Sequence, residues 1–239
     1  MNMQYIIIFA AILPAFALVI YIYLRDKYER EPLSQVLKAV GYGIISAGIA
    51  YVLEVSIGGM GLTGQASTWI GAVWNAFVGA SIPEEAAKLL MLWLLLRRNP
   101  HFDERFDGIV YACCIGMGFA GTENILYLLG NIDSWQQVAV QRAIFAVPGH
   151  FFFAVSMGYF YSQISFRDLP AHKKSRVFIV PVLLHGIYDG LLMMAEVSPI
   201  LGGILVLIFY VFCLQMFKYG RRRIHEQAEQ SNPDNIKFF

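Results

Sequence analysis

The sequence predicts an all-α, polytopic helical membrane protein in which about seven transmembrane helices enclose an intramembrane polar site. Composition is the first observation behind this prediction: 57% of the 239 residues are hydrophobic and 15% are charged, whereas a soluble domain carries about 25% charged residues. The second observation is seven apolar runs, since about 20 helical residues cross a hydrocarbon core of roughly 30 Å. The third is that several of these runs contain ionisable side chains, which are costly in lipid.

The seven runs cover residues 5–24, 34–55, 69–96, 106–129, 138–164, 177–195 and 200–217. The third run is longer than a span requires and contains Pro83, which removes a backbone hydrogen bond and predicts a kink or break in that helix. No cleavage site follows the first run, so we interpret it as a retained span and not as a signal peptide. We expect residues 1–219 to form one membrane-embedded domain and residues 220–239 to form a polar, partly disordered cytoplasmic tail.

The distribution of lysine and arginine predicts the orientation of the chain. The loops after the first, third and fifth runs and the tail are basic, whereas the loops after the second, fourth and sixth runs contain neither residue. Because basic loops stay in the cytoplasm, we place the N-terminus outside and the C-terminus in the cytoplasm. The predicted location is the cell membrane, as a multi-pass protein.

The third run contains the group that most needs an explanation, Glu84, Glu85 and Lys88, near the middle of its predicted span. Ionisable residues inside a membrane are functional candidates by default. The predicted orientation gives a similar depth, from the middle to the outer half of the bilayer, to polar residues on three other runs. These residues are Glu123, His150, His185 and Asp189.

Each of these residues also has a simple structural interpretation. Glu84 and Lys88 lie four apart on one helical face and can form an internal ion pair. His185 and Asp189 have the same spacing, and a single histidine in an apolar run is more often a core residue than a ligand. Taken together, however, four runs carry costly groups at one depth, while the second run carries only Glu54 near its outer end. We therefore predict that the groups converge.

Two histidines with carboxylates are typical of a zinc site, because zinc binds imidazole nitrogen and carboxylate oxygen and a catalytic site leaves one position for water. As a hypothesis, His150, His185 and Glu123 are the ligands. Glu84 or Glu85 is the general base that takes a proton from the water. Glu84 shares a face with Lys88, so Glu85 is freer to act as the base, but the choice between them stays open.

Four more residues have supporting roles in this hypothesis. Asp189 either orients His185 or binds the metal itself. Lys88 holds the glutamate pair and keeps it ionised. Arg142 lies two turns before His150 and either stabilises an oxyanion or pairs with a lipid headgroup. Asn124 follows Glu123 and is a neighbour for hydrogen bonding.

At these residues the chain resembles the PrsW family of membrane-embedded proteases. The matching pieces are Glu84-Glu85-Ala86-Ala87-Lys88, Gly118-Phe119-Ala120-Gly121-Thr122-Glu123-Asn124, Arg142 with Pro148-Gly149-His150, and His185-Gly186-Ile187-Tyr188-Asp189. Each piece alone is weak, but the ordered set from Pro83 to Asp189 is fairly specific. The family is distantly similar to the CAAX prenyl proteases and to bacteriocin-processing relatives. Those proteins carry a double glutamate followed by an arginine. Here Lys88 takes the place of that arginine one residue earlier in the chain, and Glu123 stands where a histidine would be. The ligand set and the presence of a metal therefore stay open.

The resemblance implies cleavage of a membrane-anchored anti-sigma factor at a site-one position, in or near its extracytoplasmic part. A second intramembrane protease would then complete release of the sigma factor. The expected partners are thus a single-span membrane protein and the lipid bilayer, with no nucleic acid. The predicted outer-half depth of the polar residues agrees with such a cut.

Two other classes of function remain open from the sequence. A proton- or cation-coupled transporter can use the same carboxylates and histidines as a relay. The sequence shows no inverted repeat, however, and the histidine–carboxylate set is more typical of ligands than of a pathway. In a non-catalytic scaffold or receptor, the polar groups would only join helices, and conservative substitutions would be tolerated.

Overall fold

A computed structural model describes residues 2–231 of the chain, with only the backbone described at position 199. Among these residues are nine α-helices: α1 Met3–Arg25, α2 Leu33–Gly59, α3 Trp69–Trp74, α4 Ile82–Leu96, α5 Arg105–Gly130, α6 Trp135–Gln141, α7 Val147–Ser165, α8 Arg176–Val197 and α9 Pro199–Gln230. Short 3-10 turns occur at Ile132–Ser134 and Ala171–Lys173. All seven apolar runs are helical, which confirms the predicted all-α fold.

Six helical stretches of the described chain are long and apolar enough to cross a membrane: Met3–Arg25, Leu33–Gly59, Arg105–Gly130, Ile132–Ser165, Ala171–Val197 and Ile200–Gln230. The stretch 69–96 is also helical, but it carries two glutamates and a lysine and is not among the six. The protein is therefore a multi-pass membrane protein with one polar helical stretch enclosed by apolar helices.

Helix α5 is the axis of the bundle, because it contacts α1, α2, α4, α7 and α9. Close helix contacts depend on small residues. A Cβ atom added to Gly118 would lie 2.2 Å from the carbonyl oxygen of Val40, and one added to Gly158 would lie 2.2 Å from that of Gly108. These glycines let α2 and α7 approach α5 closely, and α5 thereby places Glu123 in the centre of the bundle.

Two π-helical segments precede α4 and α7, two of the four helices that carry the candidate site. Residues Asn75–Ser81 join α3 to α4, and Arg142–Ala146 join α6 to α7. Each segment ends just before a proline, Pro83 or Pro148, whose ring would clash with the preceding turn of a regular α-helix. The wider π turn accommodates this clash and keeps the backbone helical. Of the predicted kink or break at Pro83, the break is wrong: the Ile82 N–H donates to the Phe77 carbonyl oxygen and the chain continues as a helix. The kink stays a prediction.

The polar stretch after residue 219 is helical as far as Gln230, where the sequence predicted partial disorder. Arg223 Nη1 donates to Tyr159 Oη at 3.1 Å, and Gln227 Nε2 donates to the Tyr159 carbonyl oxygen at 3.3 Å. These bonds attach the end of α9 to α7. The rest of the predicted tail, residues 232–239, lies outside the described residues, and the division at residue 219 remains a prediction.

Candidate active site

The first turns of α4 bring together two glutamates and a lysine. Lys88 Nζ lies 3.1 Å from Glu84 Oε2 and 2.8 Å from Glu85 Oε1. The spacings of four and three residues place both carboxylates within reach of one ammonium on the helix. Glu84 is 6% exposed and Glu85 is fully buried, and Lys88 is buried with them. In the folded protein these three side chains are therefore removed from water and contact one another instead.

Two other helices direct histidines at this group. His150, on α7, places Nδ1 3.1 Å from Lys88 Nζ. His185, on α8, places Nδ1 3.0 Å from Glu85 Oε1 and 4.0 Å from Glu84 Oε2. Both histidines are buried, and their ring centroids are 5.3 Å apart. The glutamate pair and the two imidazoles thus form one cluster.

Each histidine also contacts a carboxylate through its other ring nitrogen, Nε2. Glu123 Oε2, from α5, is 2.9 Å from His150 Nε2. Asp189 Oδ2, one turn after His185 on α8, is 3.1 Å from His185 Nε2. Each imidazole therefore directs Nδ1 toward the cluster on α4 and Nε2 toward a carboxylate. This arrangement fixes the orientation of both rings.

The hydrogen-bond network continues through Arg142 and Asn124. Arg142 donates from Nη2 to Glu123 Oε2 and from Nε to Asn124 Oδ1, both at 2.5 Å. Asn124 Nδ2 donates to the Ala11 carbonyl oxygen at 3.0 Å, and the Arg142 guanidinium lies over the Tyr127 ring at 3.9 Å. All nine candidate residues therefore meet in one network, although their individual roles remain predictions.

Aromatic rings support the charged groups. Lys88 Nζ lies 3.9 Å from the centroid of the Phe119 ring, a cation–π contact that partly replaces hydration. The Phe153 ring stacks on His185 with centroids 4.7 Å apart and an interplanar angle of 18°. These contacts restrict the ammonium and the imidazole to one position each.

A cavity of about 1260 Å³ reaches this network. Its wall includes Glu84, His150 and His185, together with Glu123 and Asp189. The cavity also reaches residues 131 and 195–196, in and beside the loops that contain no lysine or arginine. A substrate can therefore approach the network from that end of the bundle.

The two glutamates differ in their access to the cavity. Glu84 is part of the cavity wall, whereas Glu85 is fully buried, is not part of the wall and contacts both Lys88 and His185. Lys88 therefore contacts both glutamates, and the shared face of Glu84 and Lys88 does not leave Glu85 freer. Sequence spacing failed because three and four residues are both close to one helical turn.

The donor atoms suit a divalent metal ion. Glu84, Glu85, His150 and His185 offer ligand atoms that all lie within 4.8 Å of one another, and carboxylate with imidazole is a donor set that zinc accepts. Glu85 Oε2 is buried without a hydrogen-bond partner, so it has a free lone pair for a cation. Both nitrogens of His185 face carboxylate oxygens, so a proton or a cation is needed on each side of the ring.

The geometry divides the predicted metal ligands into two groups. His150 and His185 belong to the donor cluster, with Glu84 and Glu85 as its carboxylates. Glu123 and Asp189 contact the opposite nitrogens of the histidines, a position typical of residues that orient metal-bound histidines. Lys88 Nζ contacts three of the four donor residues, so an ion bound there would share these donors with the ammonium.

The sequence interpretation missed two residues of the cavity wall. Glu54 and Tyr51 on α2 line the cavity. A signal was available, because the two positions lie three apart on one helical face. The sequence places Glu54 near the outer end of its run, and in the structure it lines the same cavity as Glu84 and Glu123.

Comparison with known proteins identifies the family. Residues 31–216 match the model of the PrsW family intramembrane metalloproteases. The chain is 33% identical to Protease PrsW of Geobacillus kaustophilus over 93% of this chain and 95% of the relative. It is 35% identical to Protease PrsW of Bacillus subtilis over 79% and 84% of the two chains, and 32% identical to that of Clostridioides difficile over 85% and 84%. No solved structure matches the chain.

These matches cover most of the chain and confirm the resemblance carried by the motifs. They favour the peptidase over the transporter and the scaffold. The chain belongs to the PrsW family of intramembrane metalloproteases, which hydrolyse peptide bonds.

Proposed function

We propose that this protein cleaves a single-span, membrane-anchored protein near the extracytoplasmic end of its transmembrane helix, and that an anti-sigma factor is the substrate, cut at its site-one position. One observation carries the proposal. The cavity that contains Glu84, His150 and His185 reaches the end of the bundle where the loops lack lysine and arginine. The positive-inside rule assigns that end to the outside.

The orientation of the chain is part of the proposal. The N-terminus is outside the cell membrane and the C-terminus is in the cytoplasm. Support comes from the basic residues between α1 and α2, between α4 and α5, and between α7 and α8, which all lie at the other end of the bundle. A substrate cut from the cavity is then cut on its outer side.

Glu84 is the general base in this mechanism, because it is the glutamate of the pair that lines the cavity. Its carboxylate takes a proton from water as the water oxygen bonds to the scissile carbonyl carbon. The same proton passes to the amide nitrogen as the C–N bond breaks. Glu85 stays buried and holds Lys88 and His185 in place.

The histidines are held for ligation by the carboxylates behind them. When Nε2–H of each ring donates a hydrogen bond to Glu123 or Asp189, the Nδ1 atoms of His150 and His185 are unprotonated and direct their lone pairs toward the group on α4. Arg142 and Asn124 support Glu123 and do not contact the glutamate pair. Arg142 is therefore assigned to positioning Glu123, and not to a lipid headgroup.

Zinc is the proposed metal, held by His150, His185 and the Glu85 carboxylate, which leaves the Glu84 carboxylate to act as the base. When bound, it would supply a Lewis acid that makes water more acidic at neutral pH. The buried, unpartnered Glu85 Oε2 supports the assignment. Metal analysis of the purified protein is expected to give about one zinc per chain.

The test is cleavage in proteoliposomes. The wild-type protein and the Glu84→Gln variant are reconstituted with a membrane-anchored anti-sigma factor that carries a tag at each end, and mass spectrometry locates the cut bond. We expect one cut in the outer half of the substrate and none with Glu84→Gln. A cut on the cytoplasmic side, or one that persists in the variant, contradicts the proposal.

A further inference from the structure

One face of α2 forms part of the cavity wall. This face carries Ala47, Ala50, Tyr51 and Glu54. The two alanines leave space beside the cavity, and the tyrosine and the glutamate lie three residues apart, so they are neighbours on the helix surface. An aromatic ring and a carboxylate thus border one open volume.

Glu54 has no role in the network described above. Within residues 2–231, no hydrogen bond or ion pair holds its carboxylate. Its charge interacts at longer range with Lys88, Glu123, His185 and Asp189, which places it close to the reacting centre. A carboxylate in a cavity without a partner is costly, and this one can obtain a partner only from a molecule that enters.

Among the described residues that line the cavity, none offers a free cation to Glu54. The cavity wall contains one arginine, Arg142, which is already bonded to Glu123 and Asn124. Asp189 and Glu196 add negative charge to the same wall. The wall therefore attracts positive groups and repels carboxylates.

We propose that Glu54 and Tyr51 form a subsite for a lysine or arginine side chain of the substrate, beside the bond that is cut at Glu84. The cationic end group pairs with the Glu54 carboxylate, and the Tyr51 ring contacts its alkyl stem or its charge. This inference rests on the proposed function, because it assigns specificity to the same cavity. It implies that the substrate carries a basic residue in the segment outside its transmembrane helix.

The test uses a charge exchange. Single-span peptides are made with lysine, glutamine or glutamate at each position of the outer juxtamembrane segment in turn, and cleavage is measured in proteoliposomes. At one position, wild-type protein should cleave the lysine peptide about tenfold faster than the glutamine peptide, which corresponds to about 1.4 kcal/mol. Glu54→Gln should remove this preference. Glu54→Lys should reverse it, so that the glutamate peptide is cleaved faster than the lysine peptide.

The control is Asp133→Asn, which removes one negative charge from the same end of the bundle without touching the cavity wall. It should leave the lysine preference unchanged. If Glu54→Lys, folded by its thermal unfolding curve, keeps the wild-type preference, the subsite is wrong. Should Glu54→Lys fail to fold, the isosteric Glu54→Gln decides in the same way.

Binding separates this inference from the proposed function. Fluorescence anisotropy of the same peptides is measured on Glu84→Gln protein, which retains the cavity, with and without the Glu54→Gln change. Tighter binding of lysine peptides that depends on Glu54 supports the subsite even if no peptide is cleaved. Equal binding of lysine and glutamine peptides overturns it, whatever the outcome of the cleavage assay.

Discussion

Helix α5 connects two buried acidic clusters of different character. The cavity cluster consists of Glu84, Glu85, Lys88, His150 and His185. The contact of His150 with Glu123 links this cluster to α5. The basal cluster consists of Asp26, Glu31, Asp107 and Tyr111, at the opposite end of α5. Sixteen residues of helix separate Asp107 from Glu123, a distance of about 24 Å at 1.5 Å per residue.

In the basal cluster, the donors to the carboxylates within the described chain are neutral. The Glu31 N–H donates to Asp26 Oδ2 at 3.2 Å, and Tyr111 Oη donates to the Glu31 carboxylate. Asp107 accepts the backbone N–H groups of residues 103 and 104 at 3.1 and 2.7 Å. These bonds attach the loop between α1 and α2 to the start of α5, and none of the four residues lines the large cavity.

The cavity cluster, in contrast, combines its carboxylates with an ammonium and two imidazoles and borders a space large enough for a peptide segment. Both clusters bury acids, so burial alone does not distinguish the candidate active site from the basal cluster. The informative combination is buried acids, metal-ligating rings and access to a cavity. The following predictions test this distinction.

The largest difference is expected from neutralising one glutamate in each cluster. Glu84→Gln removes the base and should lower the cleavage rate by about 10²–10⁴-fold, the usual contribution of general base catalysis. Glu31→Gln leaves an amide that still accepts from Tyr111 and should keep the rate within about twofold, since it touches no reacting group. Initial rates in proteoliposomes measure both. Equal losses in the two variants would remove the distinction between the clusters.

The next largest effect is expected from removing the ammonium group of Lys88. Lys88→Met leaves two carboxylates buried without their cation, and breaking a buried ion pair in this way costs about 3–5 kcal/mol. Asp107→Asn keeps an oxygen that accepts from the backbone and should cost about 1 kcal/mol. Thermal unfolding in detergent micelles compares the two. Similar stability of both variants would indicate that Lys88 is not held as tightly as its contacts imply.

The basal cluster should make stability depend on pH. Burial raises the pKa of Asp26 to about 6 and that of Glu31 to about 7, above the values near 4 expected in an unfolded chain. The folded protein therefore binds more protons than the unfolded chain in this range. The stabilisation is fully present below about pH 4 and is lost as the pH rises through 6 to 7, by a few kcal/mol in total.

Glu31→Gln isolates this effect, because an amide does not titrate. We expect the unfolding temperature of wild-type protein to fall between pH 5 and pH 8, and the fall to be smaller in the variant. Contributions from parts of the protein that Glu31 does not contact are the same in both proteins and cancel in the difference. Parallel curves for the two proteins would show that Glu31 is ionised in the folded state at all these pH values.

Much of the cavity cluster was predictable from the sequence, for one physical reason. An ionisable group in a membrane has to meet a partner, and the alternation of basic and neutral loops gave the depth of each group. Glu123, His150 and His185 could therefore be assigned to one level before their contacts were known. Small residues such as Gly43 in the second run are likewise typical of close helix contacts, and a Cβ there would lie 2.1 Å from the Ile115 carbonyl oxygen.

Which side chains face the cavity depends on how each helix is rotated about its own axis. The sequence does not determine this rotation. The π-helical segments change the rotation just ahead of Glu84 and His150, because a π turn contains more residues than an α turn. Packing against distant helices then decided that Glu84, and not Glu85, reaches the cavity. The same applies to Lys88, whose contact with His150 spans 62 positions of the chain.

The smallest expected effect compares two aspartates, one from each cluster. Asp189 accepts from Nε2 of a candidate metal ligand at 3.1 Å, and loss of such a partner weakens metal binding by about 10–100-fold. Asp107 accepts from backbone N–H groups near its own helix start, at the end of α5 away from the cavity. Asp189→Asn should therefore weaken zinc binding in a competition titration with a chelator, while Asp107→Asn should bind zinc as the wild type does. Complete loss of zinc in Asp189→Asn would instead make Asp189 a direct ligand, and unchanged affinity would limit it to a hydrogen bond within α8. Because the readout is bound metal and not cleavage, the result separates the orientation of His185 from every later step of the reaction.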